Sequence, residues 1–116
     1  MISVRFAIEN DVVVEVDGDL DIMNSALLER AITKAEASAS RDARVVVSLA
    51  GCEYCDSSSL QVLLGAWRRL GARFFVVVPP YSRCRRLFEV MSFTTNSFVV
   101  ETLYAAMRAP RAERVG

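Results

Sequence analysis

Residues 52–59, Cys-Glu-Tyr-Cys-Asp-Ser-Ser-Ser, gather two acids, three serine hydroxyls and two thiols into one short stretch. The amphipathic run Leu60-Gln61-Val62-Leu63-Leu64 follows directly, so Asp56-Ser57-Ser58-Ser59 reads as the opening of a helix. Asp56 is a favoured N-cap, Ser57 then takes the first helical position, and Ser59 at the third can exchange hydrogen bonds with the cap. Helix geometry turns Ser58 about 100° away from Ser57, toward a partly buried position. Free backbone N–H groups and the helix dipole favour negative charge at such a start, which suits a phosphate. Capping alone accounts for the same residue types, and from the residues both readings stand.

The hydroxyls have no catalytic base beside them. The chain contains no histidine, which removes Ser-His-Asp and Cys-His catalysis, imidazole metal ligands and imidazole pH switching. Lys34 is the single lysine and no glycine-rich phosphate loop accompanies it. Cys52 and Cys55 match C-x-x-C, with Cys84 as a third thiol, but a zinc site wants four ligands. A redox dithiol normally opens a helix, whereas this pair precedes the helix near the end of a strand. Buried packing and redox control are both open to the three thiols. The expectation is a protein without enzymatic activity, metal or cofactor.

At 116 residues and 53% apolar composition the chain is one domain with material for a real core. No apolar stretch reaches the roughly 20 residues that cross a bilayer, and Met1-Ile2-Ser3-Val4-Arg5 lacks a signal peptide's layout. With the odd cysteine count, this gives the expectation of a cytoplasmic protein with no membrane insertion. Net charge is zero but uneven: residues 1–60 carry five basic and eleven acidic side chains, residues 61–116 nine and three. The asymmetry fits a complementary protein partner, or mutual attraction of the two halves within one domain. Nucleic-acid binding is not expected, because the arginines come without a recognition module.

The elements that must position this site follow from periodicity. Ser3 to Ile8 alternates as a strand, Glu9-Asn10-Asp11 turns, and Val12 to Val16 completes a hairpin. Asp17-Gly18-Asp19-Leu20-Asp21 breaks the strand, and Leu27, Leu28, Ala31, Ile32 and Ala35 mark a helix over 24–38, capped by Asp21 or Asn24. Arg44 to Leu49 reads as a central strand. The helix over 57–70 carries Leu60, Leu63, Leu64, Trp67 and Leu70 on one face, and Gly71 stops it. Further along come a strand over 74–78 closed by Pro79-Pro80, a helix over 82–91, a short strand over 98–100 and a helix over 102–108. Residues 109–116 are expected to be a disordered tail to a domain spanning 1–108. The order ββαβαβαβα gives an α/β fold: a single small domain with a mostly parallel mixed sheet, an N-terminal hairpin and about four helices.

The run from Val45 to Leu64, with Asp56-Ser57-Ser58 and Leu60-x-x-Leu63-Leu64, resembles the signature of the STAS domain, the family of bacterial anti-sigma-factor antagonists. Gly18-Asp19-Leu20-Asp21 and Arg85-Arg86-Leu87-Phe88-Glu89 add to the likeness, which covers about residues 3–107. The resemblance implies a protein that binds an anti-sigma factor which is also a serine kinase, freeing the sigma factor, and lets go once phosphorylated. By position the phosphorylated serine is Ser57, with Asp56 orienting it and Asp21 flanking it. Asp21, Asp56, Ser58, Ser59, Arg83 and Arg86 form the expected partner surface; capping and solvation are the plainer roles for the acids and arginines. Weak homodimerisation is a second expected contact. Family members usually have glycine where this chain has Ser59 and, near the end of the third helix, Ser92. The alternative function is a STAS subunit docked on a transporter or signalling scaffold without a phospho-switch.

Overall fold

Runs of β-branched residues build a five-stranded sheet in the computed structural model, which describes residues 1–6, 11–92 and 97–109. β1 (Ile2–Phe6) pairs antiparallel with β2 (Val12–Leu20), matching Ile2 with Val16 and Phe6 with Val12. β3 (Val45–Cys55), β4 (Phe74–Val77) and β5 (Val99–Val100) add in parallel, so spatial order equals chain order. The crossovers are α1 (Ser25–Ser38), α2 (Ser57–Leu70) and α3 (Arg85–Val90). Right-handed connections that always step the same way along a sheet must put their helices on one face. Only α4 (Leu103–Arg108), which follows the last strand, lies on the other.

The two faces show directly in the strand alternation. Val12, Val14 and Val16, Val45, Val47 and Leu49, and Phe74 and Val76 meet Leu28, Ile32, Leu60, Leu63 and Phe88 in the main core. Val13, Val46, Phe75 and Val77 point the other way, against Ala106. Leu27, expected on the buried stripe of α1, is 51% exposed instead. Trp67 stacks on Phe98 with ring centroids 4.9 Å apart, joining α2 to the end of the sheet.

Two expectations from the sequence are corrected. The segment 17–20 does not break β2, and β3 does not end at Leu49: both continue, pairing Gly18 with Cys52 and Leu20 with Cys55. Register shifts after Glu15 and Gly18 disturb the two-residue period, which hides the continuation. Gly18 at φ +95° supplies one irregular backbone position. Gly51 supplies room, since a Cβ there would lie 2.1 Å from Asp17 Oδ1. The third helix is also shorter than the expected 82–91, beginning at Arg85 after a turn. It ends at Val90, and Ser92, just past the C-cap Met91, lies in the left-handed region at φ +60°, a conformation that suits glycine better than serine. The strand residues expected at Ala7 and Ile8, the turn residues Glu9 and Asn10, and residues 110–116 lie outside the described segments.

Asp11, expected in the first turn, is instead 1% exposed. Its carboxylate accepts from the Arg44 backbone N–H and guanidinium, both at 2.8 Å, and Arg44 also donates to the carbonyl of Ala109. Ala109, expected to open the tail, is thus held against the domain. One buried ion pair ties the starts of β2 and β3 to the end of α4. Removing one partner strands a buried charge, so Asp11→Ala should lower unfolding free energy by about 3 kcal/mol in a urea titration.

Candidate functional site

The paired ends of β2 and β3 deliver the site. Leu20 and Cys55 are register partners, and the Asp56 N–H donates to the Leu20 carbonyl at 3.0 Å. The chain after Leu20 therefore starts beside the cap of α2. Asp21 shapes that loop: its carboxylate accepts from the Met23 N–H at 3.0 Å, and its own N–H donates to Asn24 Oδ1 at 2.8 Å. Asn24 Nδ2 donates back to the Asp19 carbonyl at 2.6 Å. Of the two expected caps for α1, Asn24 holds the N-cap position, yet its side chain braces the loop rather than the helix.

Asp56 caps α2 as the residue types predict. Its Oδ1 accepts from Ser58 Oγ at 2.6 Å, from the Ser59 N–H at 3.2 Å and from Ser59 Oγ at 3.4 Å. The Ser58 hydroxyl, aided by the Ser59 and Ser58 N–H groups, holds the carboxyl below the usual carboxylate range. Ser57, at the first helical position, is exposed. Ser58 is half-buried, and Ser59 is fully buried. Ser59, expected on the partner surface, lies with its side chain in the cap and the core, hydrogen-bonded to Asp56.

Ser57 borders an open cleft of about 520 Å³ between the end of β3 and the start of α3. Tyr54, Cys55 and Asp56 line one side, Arg83, Cys84, Arg86 and Leu87 the other. Arg83 and Arg86 thus share one concavity with Ser57, a convergence that separation along the chain conceals. Arg83 pairs loosely with Glu53 at 3.7 Å and remains 83% exposed. Arg85 serves the fold, donating to the Val78 carbonyl at 2.7 Å. Sequence reasoning missed the apolar residues around the site. Ile22 and Met23 on the Asp21 loop, Tyr54 at the cleft wall and Val90 at its rim are all exposed. Ile22-Met23, two large apolar residues in a polar loop outside the helical period, were the available signal. Among the described residues no group of three or more His, Cys, Asp or Glu side chains is arranged to hold a metal, and no helix is long and apolar enough to cross a membrane.

A family model described as Mlab, STAS domain, matches residues 5–102, which take in the end of β1, strands β2 to β5, the cleft and all three crossover helices. The chain belongs to the STAS domain family. Among relatives of this STAS domain, the anti-sigma-F factor antagonist RsfB of Mycobacterium tuberculosis is 29% identical over 98% of this chain and 93% of its own. An anti-sigma factor antagonist from Mycobacterium paratuberculosis superposes with TM-score 0.79 at 25% identity, covering 94% of this chain and 92% of its own. The phosphorylated form of the Bacillus cell fate determinant SpoIIAA shares the fold, with TM-score 0.65 at 18% identity over 92% of this chain and 96% of its own.

The cap has a measurable signature in this STAS domain. Asp56→Ala should cost about 1 kcal/mol of stability, while Asp56→Asn, also a good cap, should cost a few tenths. Because the folded-state pKa is depressed, the carboxylate's contribution is complete above the ordinary value of 3.8 and is lost as pH falls below it. Acid unfolding curves of wild type and Asp56→Asn should therefore converge as pH drops through that range.

Proposed function

We propose that this STAS domain is an anti-sigma-factor antagonist that binds an anti-sigma factor with serine kinase activity and is released by phosphorylation of Ser57. The observation that carries this reading is the sorting of the serines. Asp56 engages Ser58 and Ser59, while Ser57 stands exposed at the helix start and at the edge of the cleft. The relatives named as antagonists of anti-sigma factors support the partner class.

The chemistry of release is local. The kinase transfers a phosphoryl group to Ser57 Oγ, adding about −1.5 to −2 charge one residue from Asp56. Within the free domain the N-terminal dipole of α2 tolerates that charge. In a close-fitting complex the same phosphate must be desolvated beside a carboxylate, and repulsion plus desolvation oppose binding. The exposed apolar side chains Ile22, Met23, Tyr54 and Val90 supply the area that a partner would cover. The domain itself acts as ligand and phosphoacceptor, with no catalytic step of its own. Burial of the Ser59 hydroxyl in the cap removes it as a competing acceptor.

Incubating the domain with its kinase and ATP should place one phosphate on Ser57, read by peptide mass spectrometry, and Ser57→Ala should abolish incorporation. Equal labelling of that variant would refute the site. Co-purification with a transporter, with no phosphate acquired, would favour the scaffold-subunit role.

A further inference from the structure

Three arginines stand together at the turn into α3, and they are not used alike. Arg85 donates to the Val78 carbonyl at 2.7 Å and is committed to the fold. Arg83 and Arg86 are exposed, and both line the cleft that Ser57 borders. They are the two cationic residues of its wall, and Glu53 and Asp56 are the acidic ones. Asp56 is taken up by its own serines. Glu53 reaches Arg83 only at 3.7 Å, between side chains 66% and 83% exposed, and so loose and wet a pair holds little. Among the described residues no carboxylate pairs with Arg86. The cleft therefore carries two guanidinium groups without a firmly bound anion.

A guanidinium is suited to phosphate because its planar fork donates to two oxygens at once and its charge persists at every ordinary pH. Its long stem also lets the head swing while the backbone stays fixed. A phosphoryl group on Ser57 Oγ adds about −1.5 to −2 charge and three acceptor oxygens. It would stand one residue from Asp56, whose hydrogen bonds keep it ionised. That concentration of negative charge needs countercharge, and the cations lining the same concavity are Arg83 and Arg86.

We propose that Arg83 and Arg86 are an intramolecular receptor for phosphate on Ser57, so that the modified serine pairs across the cleft with the turn into α3. This inference rests on the reading of Ser57 as the phosphoacceptor and extends it to what the phosphate does afterwards. Its oxygens displace Glu53 from Arg83 and give Arg86 an anion. The phosphate then acts twice on the expected partner surface: it adds negative charge beside Asp56, and it withdraws two cations. A carboxylate of the anti-sigma factor that pairs with these arginines in the complex must compete with the domain's own phosphate, which is the stronger and nearer ligand. Release becomes an exchange of anions at Arg83 and Arg86, added to the repulsion described above.

The test is a pH titration by phosphorus NMR of the full chain with phosphoserine installed at position 57 during translation, which needs no kinase. Free phosphoserine takes up its second proton at about pH 6. Around the Ser57 phosphate, Asp56 on α2, Glu53 on β3 and Asp21 in the loop after β2 raise that value, while Arg83, Arg86 and the α2 dipole lower it. The wild-type sequence should titrate at least about one unit below the Arg83→Gln/Arg86→Gln double variant, about tenfold in proton affinity, with each single variant in between. Both side chains are exposed, so the unmodified variants should melt with the wild type. Coincident titrations of the wild-type sequence and the variants would overturn the proposal, even if all were displaced together by the helix start. Failure of a kinase to modify Ser57 would instead count against the phosphoacceptor reading, and it leaves this titration as decisive as before.

Discussion

The Asp56 carboxylate is where sheet, helix and surface meet in this protein. Its backbone N–H continues the β2–β3 pairing through Leu20, and its Oδ1 closes the first turn of α2. By accepting from Ser58 and Ser59, it separates three adjacent and chemically similar hydroxyls into two that brace the cap and one that faces outward. The cap is thus a local device with a consequence for the surface.

The topology explains why the cleft sits where it does. Stepwise parallel addition with right-handed crossovers puts three helices on one face and leaves the carboxyl ends of β2, β3 and β4 facing one side of the molecule. The α2 start and the turn into α3 emerge there as neighbours, which brings Ser57, Arg83 and Arg86 to one concavity. At the opposite ends of those strands the Asp11–Arg44 pair holds β2, β3 and the close of α4 together. The two ends of the sheet differ: one carries the buried ion pair, the other the cleft.

Much of this was legible in the sequence because it is written in local periodicity. The valine runs gave the strands, the leucine spacing gave α2, and Asp56-Ser57-Ser58-Ser59 announced its own cap, since capping needs only residues three apart. What stayed hidden depends on distant partners or broken periods. Asp11 reads as a turn residue until Arg44, 33 positions away, is placed against it. Asp17-Gly18-Asp19 and Ala50-Gly51 look like loops because bulged strands that outrun the helices expose polar residues and lose their alternation. Ser59 looked like an intrusion at a glycine position, yet its hydroxyl joins the cap and its burial costs no surface contact. Ser92 does occupy a position that glycine suits better, because its backbone sits at φ +60°.

The central claim is that the single exposed hydroxyl of this cap switches a protein interface through charge. It is tested most directly by isothermal titration calorimetry of the cognate anti-sigma factor against the domain in its unmodified form and carrying phosphate on Ser57. The account predicts a dissociation constant at least about tenfold weaker for the phosphorylated form, equivalent to about 1.4 kcal/mol. Equal affinity of the two forms would contradict it.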